Sequence, residues 1–197
     1  MIAILDYGSG NLRSAQRAFE TTGRKVVLTS DPEIAANADA LVVPGVGAFG
    51  ACMDGLLKVN GDQVIKSRIA EGKPTLGICV GMQIMFEQGL ELGEFAGVGA
   101  LSGVVEKLDA PVLPHMGWNS VEISGGSNLF TGVEKESFYF VHSYAVKQAK
   151  VSNWATTDYY GKFYAAVEEG SITATQFHPE KSGAAGLKLI SNWVESL

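Results

Sequence analysis

The sequence predicts an α/β fold, a mainly parallel central sheet flanked by helices, with an added antiparallel β section in the second half. Two observations carry this. Up to residue 88, short apolar runs alternate with segments of helical spacing. From about Gly97 onward, strand-like runs follow one another across Gly and Asn turns until a final helical stretch. Short strands that are apolar throughout and separated by helices belong to a parallel sheet covered on both faces.

Ile2–Leu5 is the first apolar strand. Asn11–Thr22 carries apolar or small residues at Leu12, Ala15, Ala18 and Phe19, which is helical spacing, and Gly23 stops it. Lys25–Leu28 is the second strand, Asp31 caps a short helix, and Ala40–Val43 is the third strand. Helices are expected over Ala51–Lys58 and Asp62–Glu71, then a fourth strand, Thr75–Ile78, and a helix Val80–Gln88. In the second half Val98–Leu108, Trp118–Ile123, Phe138–Tyr144, Val151–Thr156 and Tyr164–Phe177 read as strands, and Gly183–Ser196 as a closing helix. No repeat, linker or low-complexity segment divides the chain, so its 197 residues read as one domain.

Composition narrows the function classes. There are 15 basic against 21 acidic residues, a formal charge of −6, which argues against a nucleic-acid or anionic-membrane surface. The two cysteines, Cys52 and Cys79, make no disulfide framework, and no metal-ligand spacing is present. The run Met1–Leu5 is too short for a signal peptide. No run approaches the ~20 apolar residues of a membrane span. A reducing cytoplasm suits a chain that depends on a free thiol.

That thiol stands in the most informative stretch, Gly77-Ile78-Cys79-Val80-Gly81, between an apolar run and a helical pattern. It is a Gly-x-nucleophile-x-Gly turn with Cys in the place where many hydrolases carry Ser. The glycines permit a sharp strand-to-helix turn that presents the middle side chain at its tip. A helix N-terminus favours the thiolate, and the Val80 amide is positioned to stabilise a tetrahedral oxyanion. A cysteine nucleophile needs a base, and the base an orienting partner. Of three histidines, His178 has a carboxylate two residues on, in Phe177-His178-Pro179-Glu180. In extended chain the two side chains point the same way, and Pro179 biases His178 toward that conformation at a strand's end.

Ligands of open α/β sheets bind at the carboxyl ends of the strands. Three loops there are chemically loaded: Asp6–Asn11, the Cys79 elbow, and Pro44–Gly50, with three glycines in seven residues. Glycine on both sides of Val46 would let that peptide flip.

These motifs resemble class I, triad-type glutamine amidotransferases. Gly77-Ile78-Cys79-Val80-Gly81-Met82-Gln83 and Phe177-His178-Pro179-Glu180 carry the likeness to the superfamily. Ile4–Leu12, Pro114-His115-Met116-Gly117-Trp118-Asn119 and Phe138–Tyr144 are similar to the glutaminase subunits of imidazole glycerol phosphate synthases. The likeness covers nearly the whole chain as a single glutamine amidotransferase domain, residues 1–197, with no cofactor. It implies Cys79 as nucleophile, His178 as base and Glu180 as orienting carboxylate, with L-glutamine cut to glutamate and ammonia. It implies an oxyanion hole made by Val80 and by Val46 or Gly47, and glutamine contacts from Gln83, Glu91, Ser143 and Tyr144. It also implies a heterodimer with a (β/α)-barrel cyclase. There the ammonia reacts with a phosphoribulosyl formimino carboxamide ribonucleotide to give imidazole glycerol phosphate and an aminoimidazole carboxamide ribonucleotide, in histidine biosynthesis. Asn11, Trp118, Tyr139 and Lys181 are the expected interface. His142 and Cys52 read as structural, and His115 has no assigned role.

Two alternatives stay open at this point. One is a glutaminase of the same class serving pyridoxal phosphate, anthranilate or guanylate synthesis, against which the Asp6–Asn11 and Pro114–Asn119 segments argue. The other is a non-catalytic regulatory protein whose elbow cysteine is oxidised, against which His178 and Glu180 argue.

Overall fold

A computed structural model describes residues 1–197. The first half comprises β1 (Ile2–Leu5), α1 (Leu12–Glu20), β2 (Val26–Thr29), α2 (Pro32–Asn37), β3 (Ala40–Gly45), α3 (Phe49–Lys58), α4 (Gly61–Ala70), β4 (Thr75–Cys79) and α5 (Val80–Gln83). Next come β5 (Phe86–Gly89), β6 (Phe95–Ala96), β7 (Leu101–Lys107), β8 (His115–Ser120) and β9 (Glu122–Ser124). The chain ends with β10 (Ser137–His142), β11 (Tyr144–Ala149), β12 (Asn153–Asp158), β13 (Lys162–Glu169), β14 (Ile172–Thr175), a 3₁₀ turn (Pro179–Lys181) and α6 (Gly183–Glu195).

The main sheet has eight strands in the order β2-β1-β3-β4-β14-β13-β12-β9. From β2 to β14 the pairings are parallel, and beyond β14 they are antiparallel. The expected α/β class with an antiparallel extension is therefore what forms. The parallel strands β1, β3 and β4 are buried at every position, as a sheet covered on both faces requires. They belong to a continuous core of 52 buried residues. Asp31 caps α2 as its sequence position predicts, accepting from the amides of Glu33 and Ile34. At the other end of α2 the fully buried Arg68 of α4 donates to the carbonyls of Ala35, Ala36 and Ala38. A cation at a helix C-terminus satisfies carbonyls that have no partner within the helix.

Three expectations are corrected. The helix expected over Val80–Gln88 lasts one turn. Its carbonyls are taken elsewhere: Val98 donates to Ile84, and Ala100 and Leu101 donate to Met85. The chain then extends as β5, which joins a second, four-stranded sheet, β11-β7-β5-β6. Second, Trp118–Ile123 is two strands, since β8 pairs with β10 in a separate two-stranded sheet while β9 closes the main sheet. Third, Phe138–Tyr144 breaks at Ser143: β10 ends opposite β8, and β11 begins opposite β7. A period-two pattern shows which residues are buried, not which sheet receives them. Tyr164–Phe177 is a hairpin of β13 and β14, turned at Gly170 with φ +57°. No helix is long and apolar enough to cross a membrane.

Candidate active site

β3, β4 and β14 are neighbours in the parallel part of the main sheet, and the functional loops leave their carboxyl ends. Cys79 closes β4 with φ +55° and ψ −113°, a conformation that a side chain adopts only under constraint. The flanking glycines supply the constraint. A Cβ on Gly81 would overlap the carbonyl oxygen of Val43, and one on Gly77 would lie 2.6 Å from the oxygen of Gly81. The elbow is thus packed directly on β3, and only glycine fits. Because α5 is a single turn, its dipole is small.

His178 follows β14 in extended conformation, φ −99° and ψ 96°. Its Nδ1 lies 2.8 Å from Glu180 Oε1, and both side chains are almost fully buried. Its Nε2 has no hydrogen-bond partner, and neither has Glu180 Oε2. Burial works against a charged imidazole here, but Cys79 and Glu180 outweigh it and push His178 up to about 9. Such a shift is that of an imidazole set between a sulfur and a carboxylate.

Cys79 and His178 line one pocket of about 200 Å³, together with Val80, Val46, Gly47, Gln83, Glu91, Ser143, Tyr144, His142 and Lys181. All of the residues expected for the triad, the oxyanion hole and the glutamine contacts therefore meet in one place, with Glu180 directly behind His178. Gln83 is held firmly, its Nε2 donating to the Tyr144 carbonyl at 2.8 Å and to Gln176 Oε1 at 3.0 Å. Glu91 accepts from the Phe49 amide at 2.8 Å. Of the expected interface residues, Trp118 is 59% exposed and its ring meets Tyr139 edge-on at 6.2 Å. Asn11 is exposed beside α1 and Lys181 stands at the pocket.

Comparison with known proteins accords with this geometry. Residues 3–196 match the family "Glutamine amidotransferase class-I". The chain belongs to that family. Among its curated relatives, the amidotransferase is 54% identical to "Imidazole glycerol phosphate synthase subunit HisH" of Mycobacterium bovis, over 100% of its length and 98% of the relative's. It is likewise 54% identical to the protein of that name from Corynebacterium diphtheriae, over 100% and 99% of the two chains. Among solved structures, that of PurLQS from Thermotoga maritima superposes with a TM-score of 0.77 at 18% identity, covering 99% of this chain and 97% of the other. The glutaminase domain of Trypanosoma brucei CTPS superposes at 0.63, also with 18% identity, over 98% and 93%. At those identities the likeness is one of fold.

Several residues of the amidotransferase's site escaped sequence reasoning. Ser9 Oγ accepts from the Val46 amide at 3.0 Å and donates to the Val46 carbonyl at 2.7 Å. Cys52 is buried as expected, yet its Sγ lies 3.2 Å from Ser9 Oγ and 3.4 Å from the Val46 carbonyl. The hydroxyl of Tyr7 donates to the Pro44 carbonyl. Burial raises that phenol, keeping it a donor. Both the N–H and the carbonyl of Val46 are thus tied to Ser9, and the carbonyl also to Cys52. Gln176 Nε2 comes within 3.8 Å of the sulfur of Cys79. Apart from that of Cys52 with Val46, these contacts link residues 37 to 97 positions apart, a range that local pattern does not encode.

Proposed function

We propose that this chain is the glutaminase subunit of an imidazole glycerol phosphate synthase, releasing ammonia from L-glutamine for a (β/α)-barrel cyclase. One observation carries the chemistry. The thiol of the β4 elbow and the imidazole after β14 face one pocket, with Glu180 2.8 Å from the far imidazole nitrogen.

The reaction divides into two steps. The Cys79 thiolate attacks the side-chain carboxamide carbon of glutamine, and a C–S bond forms as the carbonyl becomes an oxyanion. The amide of Val80 and one from the Pro44–Gly50 loop hold that charge. His178, oriented by Glu180, gives the thiol proton to the departing nitrogen, the C–N bond breaks, and ammonia leaves a thioester. Water, deprotonated by His178, then adds to the thioester, and C–S cleavage releases glutamate and the thiol. Gln83, Glu91, Ser143 and Tyr144 hold the substrate. Ammonia reacts only while neutral, so release into a partner's interior serves better than release into water. The 54% identity over the full chain to subunits named for this synthase supports the cyclase as that partner. Asn11, Trp118, Tyr139 and Lys181 form the docking face, and the free thiol suits a cytoplasmic setting.

The test is glutamate production from glutamine by the chain alone, and with the cyclase and its nucleotide ligand. Negligible activity alone and strong stimulation in the complex are expected, and Cys79→Ser should abolish both while folding normally. Turnover indifferent to the cyclase would move the enzyme to another pathway, and no turnover in either condition would reject the reading.

A further inference from the structure

Two histidines that the mechanism does not use are paired beside the glutamine pocket. His115 opens β8 and His142 closes β10, and the two are register partners in that antiparallel pair. His115 Nδ1 lies 3.0 Å from His142 Nε2, and His142 Nδ1 lies 2.9 Å from the Tyr144 carbonyl. A carbonyl accepts only, so His142 Nδ1 carries a proton. Its Nε2 must then accept from His115 Nδ1–H if the ring is neutral. The remaining atom, His115 Nε2, accepts from the Asn119 side-chain amide at 3.4 Å. Every ring nitrogen has one complementary partner. The rings are buried among Phe140, Tyr159 and Phe163.

The same Tyr144 carbonyl also receives the Gln83 amide, which bonds Gln176, whose own amide reaches toward Cys79 Sγ. A continuous polar chain therefore runs from Asn119, on the strand that exposes Met116 and Trp118, to the sulfur of Cys79. We propose that His115 and His142 are positioning residues of the glutamine site: a neutral, tautomer-locked pair that fixes the Tyr144 carbonyl and the Gln83 amide. His142 supplies the hydrogen bond, and His115 fixes the tautomer in which His142 can supply it. Neutrality is supported by the surroundings. Burial pulls His142 down to about 3 and His115 to about 4, and the cationic His178 adds to the effect on His142. The inference rests on the glutaminase reading, since it concerns the same pocket.

The first test uses the wild-type chain. Two-bond ¹⁵N–¹H NMR correlation on the imidazoles at neutral pH should show His115 and His142 both protonated at Nδ1 and unprotonated at Nε2. An Nε2–H or doubly protonated form of either ring would overturn the assignment, whether or not any variant folds. The second test is kinetic, on the complex with the cyclase. His142→Phe keeps an aromatic ring but removes the donor, and should raise KM for glutamine by about tenfold or more with a smaller change in kcat. His142→Asn, whose amide nitrogen can occupy the Nδ1 position, should recover most of that loss. His115→Phe should let His142 populate both tautomers and raise KM less. Unchanged KM in folded His142→Phe, with wild type active, would overturn the proposal. An inactive wild type would instead indict the glutaminase reading, leaving the NMR result to judge the tautomer lock.

Discussion

The backbone N–H of His178 donates to the carbonyl of Tyr139 at 2.9 Å. The proposed base therefore hangs on β10, the strand whose half-exposed Tyr139 packs against Trp118 on the proposed docking face. Ser182 reinforces the link. Its hydroxyl donates to the His178 carbonyl at 2.7 Å and accepts from the Tyr139 amide at 3.0 Å. One buried hydroxyl thus clamps the loop of the proposed base to the proposed docking strand.

Ser182→Ala tests that clamp. It leaves the Tyr139 amide without its partner, which costs about 1–3 kcal/mol, while the His178 carbonyl keeps only the Lys181 N–H. The denaturation midpoint should fall accordingly. Cyclase-stimulated glutaminase activity should drop by several-fold at a temperature where the variant is still fully folded. A loss of stability with full stimulation would show that the clamp serves folding alone.

Gly47 sits at φ +93° with nothing within 4 Å of an added Cβ, so Gly47→Ala meets backbone strain but no clash. Such strain costs about 1 kcal/mol. The neighbouring Val46 peptide is held by Ser9 and Cys52, and any rotation toward Cys79 must pass through Gly47. Gly47→Ala should change the ratio of stimulated to basal glutaminase activity by about tenfold while moving the melting temperature only a few degrees. An unchanged ratio would rule out a turning peptide at this loop.

Much of this arrangement was legible in the sequence because its signals are local. The elbow glycines around Cys79 and the His-Pro-Glu order after β14 constrain backbone within five residues. The alternation of β1 to β4 with helices names the layer that brings them together. What was illegible depended on distant partners. Ile84 and Met85 lie within a good helical pattern, yet their carbonyls bond residues 98 to 101 and the helix ends. Cys52 reads as a packing thiol until α3 is laid against the Ser9 loop. His115 and His142 are 27 residues apart, and only the register of β8 on β10 makes them a pair.

The pH dependence of stability should carry the signature of His178. A folded-state value of about 9, above the unfolded value of ~6.5, means that the folded protein binds the extra proton between those limits. The stabilisation is complete below pH ~6.5 and is lost as pH rises through about 9. His115 and His142 act in the opposite sense. Their depressed values make the folded state bind fewer protons, so their contribution is present above pH ~6.5 and is lost as pH falls toward 4 and 3. Thermal melts should therefore peak near pH 6.5 and decline by several degrees toward pH 9. In Cys79→Ala the sulfur no longer raises His178, so the alkaline decline should flatten. An equally steep decline in that variant would assign it to other groups.

Lys181 joins the proposed docking face to the turn that holds the proposed base. Its backbone N–H donates to the His178 carbonyl at 3.0 Å and its residue lines the pocket, directly after Glu180. The lysines that form ion pairs in this chain are Lys66, Lys73, Lys147 and Lys162, so the Lys181 ammonium is unpaired. We propose a carboxylate of the cyclase as its partner, an ion pair that would transmit docking to the turn that holds Glu180. Partly buried interface pairs are worth more than exposed ones. Lys181→Ala should lower cyclase-stimulated glutamate production by about tenfold. The melting temperature of the isolated chain should stay within a degree or two. Raising salt should weaken stimulation of the wild type more than that of the variant, since the variant has no pair left to screen. Full stimulation of Lys181→Ala with normal complex affinity would reject the ion pair and leave Tyr139 as the route from the docking strand to His178.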